Sequence, residues 1–295
     1  MLRRALFLAL IPAIAGAQTN FDTIQVRAQQ LRGGVYMLTG AGGNIGLSVG
    51  DDAAFVIDDQ YAPLTPKILA TIAGITNKPI RFVVNTHWHG DHTGGNEGVG
   101  KTGAIIVAHN NVRKRMSVEQ FNDVFNRKTP PSPAAALPVV SFNDSITFHI
   151  NGDDVMAFHV APAHTDGDAV IHFAKADVVH MGDTYFATGY PFVDVSSGGN
   201  VSGVIAAADR VLAICKPTTI VIPGHGPVSN CDNLREYRNM VASIRDKVRA
   251  EMQRGRTLEQ IAEAKVTAEF DAKWGKGFIS PPVFIQLVHR SLSAR

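Results

Sequence analysis

The chain has 295 residues, 45% of them hydrophobic, with 28 basic and 26 acidic side chains. That is enough apolar material for one large core or two small ones, which excludes a chain that is disordered throughout. No basic run stands out, so the footprint of a nucleic-acid binder is missing. The start reads separately: Arg3 and Arg4 precede an apolar run over residues 5–15 broken by Pro12. Ala15-Gly16-Ala17 then supplies small residues before Gln18, the pattern of a secretory signal peptide over residues 1–17. The run is too short to span a bilayer comfortably, so no lasting membrane insertion is expected. Export to the periplasm or beyond is expected, with residues 18–295 as a single mature domain. Removing the leader takes Arg3 and Arg4 from the 28 basic residues and nothing from the 26 acidic ones, leaving a neutral chain. Cys215 and Cys231 both remain, and an oxidising compartment permits a disulfide or two free thiols.

Residues 34–39, 44–50 and 53–59 read as three strands of a meander, joined by the glycine-rich turn 40–43 and the turn 50–52. Residues 63–75 place Leu64, Ile68, Leu69 and Ile72 at helical spacing, with Pro63 near the start. Residues 80–85 form a buried strand whose C-terminal end delivers a histidine-rich loop, where open α/β sheets place their sites. A strand is expected over 104–108 and a helix over 111–125. Pro130, Pro131 and Pro133 rule out further helix, making 128–133 a surface loop or a linker between halves. Residues 139–142, 146–150 and 154–160 then make a second strand-rich block, with short strands at 169–173 and 178–181. Val204, Ile205, Ala208, Val211 and Leu212 stripe a helix over 202–214. Residues 219–222 form a strand, followed by a long amphipathic helix over about 232–254. Thr257-Leu258-Glu259-Gln260 has the capping-box form of a last short helix. Strands then helix, given twice, predict an α/β chain folded as an αββα sandwich, two packed sheets with helices outside.

The chemistry concentrates in His87, His89, Asp91 and His92, all within six residues. Imidazole and carboxylate are ordinary ligands of Zn²⁺ and related metals. The four cannot all join one tetrahedral ion without strain, so a two-metal site is the simpler arrangement. Three further positions lie just past predicted strands: His164, Asp183 beside Gly182, and His225 between Gly224 and Gly226. Metal-capable side chains on several strand-to-loop exits are what a site built on a rigid sheet requires.

The ordered set His-x-His-x-Asp-His, then His164, Asp183 and His225, resembles the metallo-β-lactamase superfamily over about residues 34–230. The resemblance implies that His87, His89 and His164 bind a first metal. Asp91, His92 and His225 would bind a second, and Asp183 would bridge the two. Two Zn²⁺ ions per chain would share a water and lower its pKa, and Asp91 would also orient the attacking hydroxide. A hydrolysed amide, ester, lactone or thioester would result, from a small-molecule substrate. His109, His149, His159, His172, His180 and His289 lack the glycine-flanked loop context and are expected to be structural or exposed. Asp166 and Asp168 fit either partners of a ligand imidazole or turn-forming acids. Trp88 fits packing under the loop or a wall beside the metals. Tyr185 is a candidate donor to a developing oxyanion, or else a half-buried aromatic.

Within the superfamily the residues divide. Many β-lactamases carry a Cys ligand where Asp183 stands, and a carboxylate-gripping Lys where Phe186 stands. A bridging Asp is instead the pattern of glyoxalase II, lactonases and tRNA-processing nucleases. Export suits a β-lactamase and does not suit a glutathione thioesterase or a tRNA nuclease, and neutral charge also argues against the nuclease. Residues 197–203 resemble the loop that presents an Asn to a lactam carbonyl, which makes Asn200 a catalytic candidate. The first expectation is therefore an exported zinc-dependent β-lactam hydrolase; the second, a lactone, ester or thioester hydrolase on the same site. A di-iron redox protein and a non-catalytic metal binder are the readings from other classes.

Overall fold

The computed structural model describes residues 19–293; the leader expected over residues 1–17 lies outside them. The first sheet begins as an antiparallel meander of β1 (Arg27–Arg32), β2 (Val35–Thr39), β3 (Ile45–Val49) and β4 (Ala54–Ile57). Helix α1 (Thr65–Ala73) crosses over to β5 (Ile80–Asn85), which lies parallel to β4. Two short helices, α2 (Gly90–Thr93) and α3 (Asn96–Gly100), lead to β6 (Ile105–His109), parallel to β5. Helix α4 (Asn110–Met116) follows, then a separate hairpin of β7 (Gln120–Asn122) and β8 (Arg127–Thr129). Strand β9 (Val140–Phe142) pairs parallel with β6 and completes seven strands.

The second sheet has six strands. It runs through β10 (Ser145–Ile150), β11 (Asp153–His159), β12 (Ala169–Phe173) and β13 (Val178–His180), all antiparallel. Helix α5 (Val201–Ile214) connects to β14 (Ile220–Ile222), parallel to β13, and β15 (Ser229–Asn230) closes the edge. Helices α6 (Cys231–Gln253), α7 (Leu258–Glu263), α8 (Ala268–Trp274) and α9 (Pro281–Ser293) finish the described chain.

The period-2 alternation of β-strands explains the layering. Phe55 and Ile57 of β4 point between the sheets, where they meet Phe148, Val155, Ile171 and Phe173. Ala54 and Val56 point outward onto Leu64, Ile68 and Ile72 beside and on α1. On the far side, Val170 and Val179 bury against Val204, Val211, Leu234, Val241 and Leu287 of α5, α6 and α9. Helix, sheet, sheet, helix is the expected αββα sandwich. The capping box at Thr257 and Gln260 is formed as well.

Several boundaries differ from the sequence expectation. The helix expected over 111–125 stops at Met116, where the Gln120 amide takes up the Arg115 carbonyl, and Asn122 then turns the chain into a hairpin. Its side chain accepts the backbone N–H groups of Val124 and Phe125, an Asx turn that competes with helix. Residues 128–133 do not link the halves, since β9 still belongs to the first sheet; the crossing falls at Asn143–Asp144. Strand β1 escaped notice because its exposed edge sequence, RAQQLR, has no apolar alternation. Two helices, α8 and α9, follow the one expected to be last. Cys215, at the end of α5, and Cys231, at the start of α6, are joined as a disulfide.

Candidate metal centre

Seven candidate ligands come together from distant parts of the chain. Strand β5 is buried at its C-terminal end and hands over directly to His87 and His89, while Asp91 and His92 lie in α2. From the second sheet, His164 follows β11, Asp183 sits in a single 3-10 turn after β13, and His225 follows β14. The donor atoms fall into two groups: His87, His89, His164 and Asp183, and then Asp91, His92 and His225.

Asp183 touches both groups. Its Oδ2 lies 3.6 Å from His164 Nε2 and 3.9 Å from His87 Nε2. Its Oδ1 lies 3.1 Å from His92 Nε2 and 3.4 Å from His225 Nε2. Asp91 Oδ2 is 3.2 Å from His225 Nε2, and His89 Nδ1 is 2.8 Å from His164 Nε2. Two donors on a tetrahedral zinc ion, with bonds of about 2.0–2.1 Å, stand about 3.3 Å apart. The observed separations scatter around that edge length. Buried polar atoms normally find partners, yet His87 Nε2 and Asp183 Oδ1 have no hydrogen bond. Orphaned donor atoms at these spacings fit a pair of divalent cations. Gly224 makes room for the bridge, because a Cβ there would overlap Asp183 Oδ1.

The opposite nitrogen of four of the five imidazoles is fixed by the protein, which selects the tautomer that faces inward. His92 Nδ1–H donates to Asp58 Oδ2 at 2.8 Å, and His89 Nε2–H donates to Asp194 Oδ2 at 3.0 Å. His164 Nδ1–H donates to the Phe192 carbonyl at 2.6 Å. His87 Nδ1–H donates to Thr86 Oγ1 at 3.0 Å, and that hydroxyl donates onward to Asp58 Oδ2 at 2.7 Å. Asp58 also takes the Thr86 N–H at 2.8 Å, from a left-handed backbone, φ 60°, that Asp tolerates better than most residues. One buried acid thus orients a ligand from each group. Asp58→Ala is expected to weaken metal affinity about 10- to 100-fold, measured by competition with a zinc chelator; unaltered affinity would remove Asp58 from the site.

The two groups differ electrostatically. Burial holds His87 well below the usual imidazole range, helped by the neighbouring His92. Burial likewise brings His164 down to about 4, against the pull of Asp183. Burial would lower His225 too, but Asp183 and Asp91 outweigh it and push it up to about 10. His92 rises in the same way, because Asp183, Asp91 and Asp58 surround it. In the metal-free centre, then, His92 and His225 of the second group favour the protonated form, whereas His87 and His164 of the first group favour the neutral form. A cation entering the second group must expel those protons, so its affinity there rises with pH. Zinc calorimetry in buffers of different ionisation heat should show proton release when the second group fills. Binding of two ions with no proton release would contradict this assignment.

Other sequence candidates are otherwise engaged. Tyr185 is buried against Tyr237, with its hydroxyl 2.7 Å from Ser229 Oγ, so it is not free to donate to a substrate. Asn200 caps α5: its side-chain oxygen accepts the Ser202 N–H at 2.8 Å, and it makes no hydrogen bond to any candidate ligand. Neither the place of Tyr185 beside Asp183 nor the loop resemblance around Asn200 reveals where a side chain points. Asp166 forms a two-pronged pair with Arg115, and Asp168 closes its own turn through Thr165, so neither holds a ligand imidazole. His159 stacks on His109 at 3.8 Å and donates to the Asp168 carbonyl. His149 pairs with Asp154 and His180 with the Asn44 carbonyl. Trp88 packs beneath the loop, its ring 4.7 Å from that of His89.

Sequence reasoning missed Asp58, Asp194 and Thr86. The available signal was the acid pair Asp58-Asp59 ending an otherwise apolar strand, since a carboxylate there must find a partner.

Known proteins resemble this chain to different extents. A hydroxyacylglutathione hydrolase of Polaromonas sp. is 30% identical over 170 residues, 57% of this chain and 56% of that protein. The matched stretches cover 36% to 56% of the curated relatives' own lengths. Among solved structures, the sec-alkylsulfatase Pisa1 from Pseudomonas sp. superposes with a TM-score of 0.70 at 18% identity, over 90% of this chain and 50% of that one. A metallo-beta-lactamase from Pontibacter korlensis gives 0.62 at 18% identity, over 74% of this chain and 99% of its own. These two likenesses establish the fold. The sequence profile of the metallo-beta-lactamase superfamily matches residues 38–229, a span that carries every candidate ligand on both sheets; the chain therefore belongs to that superfamily.

Proposed function

We propose that this protein is an exported hydrolase that binds two zinc ions and cleaves an ester, thioester or lactone. The observation that carries the reading is Asp183, whose two oxygens face two separate groups of ligands. Bound there, a pair of divalent metals supplies an activated water and a Lewis acid for a carbonyl oxygen. The chain's own residues do the rest. Asp183 and the fixed imidazoles set the spacing of the two positions. Asp91, partly open to solvent beside His225, is placed to orient a water and hold its proton.

Two observations favour an acyl substrate over a β-lactam. Phe186 stands where a lysine would grip a lactam carboxylate, and its ring lies flat against His225, 5.4 Å away and tilted by 10°. Asn200, the expected grip on a lactam carbonyl, caps a helix instead. The similarity to a hydroxyacylglutathione hydrolase favours a thioester substrate. β-Lactam hydrolysis, the first expectation from the sequence, is the second reading. The Cys215–Cys231 disulfide supports it indirectly, because it fits an oxidising compartment where such a substrate is met.

The test is a zinc-loaded sample of residues 18–295 given thioester, ester, lactone, penicillin, carbapenem and phosphodiester substrates, with metal analysis alongside. Turnover of acyl substrates well above that of lactams is expected. Lactam turnover alone would promote the second reading. Iron in place of zinc, with a visible absorption band and no hydrolysis, would overturn both. Fractionation of cells making the full chain tests export.

A further inference from the structure

A hydrophobic path leads away from the first ligand group. Phe192 lies nearly flat beside His89, with ring centroids 5.9 Å apart, and edge-on to His164 at 5.6 Å. Phe125, in the turn between β7 and β8, packs on Phe192 at 5.1 Å. Phe278, in the loop before α9, packs on Phe125 at 5.5 Å. The path opens outward: Phe192 is buried, Phe125 is 43% exposed and Phe278 is 79% exposed.

Three separate segments converge to make this surface, and each is pinned. The hairpin is held by Asn122, which donates to Asp194 Oδ1 at 3.2 Å, and by Asp123, which accepts the Ser196 hydroxyl at 2.7 Å and pairs with Arg290 of α9. The loop carrying Phe278 is seated backbone to backbone on the loop carrying Phe192. A Cβ on Gly277 would meet the Gly189 Cα at 2.7 Å, so only glycine allows that approach. Large apolar side chains left in water beside a polar site mark a binding surface more often than chance exposure. Rings held in place before a ligand arrives spare it the ordering cost.

We infer that the metal centre receives its substrate by an aromatic arm, which packs on Phe125 and Phe278 while the scissile carbonyl reaches the ligand groups past Phe192. The inference rests on the hydrolase reading above and deepens it by naming a substrate class. The arm leaves on the first-group side, since Phe192 touches His89 and His164. It is apolar because the rings present no charge, and aromatic because offset or edge-to-face ring pairs add to simple burial.

The test compares thioesters that differ only in the acyl arm, acetyl, phenylacetyl and succinyl, and a second set in which an acetyl group is joined to methyl or benzyl thiol. At least one phenyl-bearing substrate should show a KM well below its acetyl-methyl parent. Phe278→Ala and Phe125→Ala should each shrink that KM advantage about fivefold, with little change in the kcat ratio. Both rings are exposed enough for the variants to fold, and circular dichroism checks that they do. A preference for the succinyl arm, or an advantage untouched in both variants, would overturn the inference. If no thioester, ester, lactone or lactam is turned over, the hydrolase reading fails, and the surface is tested alone. Binding of 4-fluorophenylacetate, followed by fluorine NMR, should then be weakened by Phe278→Ala. Failure to bind, or binding indifferent to the substitution, would overturn it.

Discussion

Asp183→Ala should cost about 10³-fold or more in kcat/KM, equivalent to about 4 kcal/mol of transition-state stabilisation. The side chain is the only one whose oxygens face both ligand groups among the described residues, so its loss strips each group of a negative donor. Bound zinc should fall from two per chain toward one or none. Burial alone would keep the carboxyl protonated, yet His225 and His92 hold it well below the usual range, ready to accept a cation. Asp183→Asn keeps the shape and removes the charge, and should retain little of the lost activity. Full zinc content in either variant, measured by atomic emission, would defeat the bridging assignment.

Asp91→Ala is expected to be nearly as damaging to turnover, about 10³-fold, but for a different reason. It leaves His87, His89, His164 and Asp183 untouched, so the variant should still take up one zinc ion per chain. What it loses is the carboxylate 3.2 Å from His225 and 3.6 Å from His92, and with it the second ion and the group that orients water. The side chain stands at the open side of the centre, 22% exposed, so the far-ultraviolet dichroism should not change. Wild-type turnover in this variant would rule out the assigned chemistry. One zinc with lost activity in Asp91→Ala, against deeper metal loss in Asp183→Ala, is the pattern that separates a bridging from a terminal ligand.

How much of this was legible beforehand depended on the kind of residue. Metal-capable side chains at strand ends are rare and ordered, so all seven positions could be named before their contacts were seen. The layered fold followed from the same alternation that places Phe55 inward and Val56 outward. The residues that orient the ligands were not visible. Asp58, Thr86 and Asp194 are common types, and their importance lies in hydrogen bonds to chain segments up to 105 residues away. Tyr185 and Asn200 differ in the opposite sense: nearness to Asp183 suggested a role for the first and a loop resemblance one for the second, but the Tyr185 hydroxyl is spent on Ser229 and the Asn200 amide oxygen on a helix end. The hairpin that brings Phe125 beside Phe192 was hidden under an expected helix, because a single Asx turn at Asn122 outweighs several residues of moderate helical preference.

The division of ligands between the sheets has a thermodynamic side. His87, His89, Asp91 and His92 hang from the first sheet, while His164, Asp183 and His225 hang from the second. Each group draws on both, so a bound ion is also a clasp that spans the seam between the two halves of the sandwich. An ion that binds only the closed pair of sheets stabilises it by RT ln(1 + [L]/Kd), about 2.7 kcal/mol per ion at a hundredfold excess over Kd. With ions bound there, the melting temperature would be a function of free metal, not a constant of the chain. A strong chelator would act as a mild denaturant that loosens the seam first.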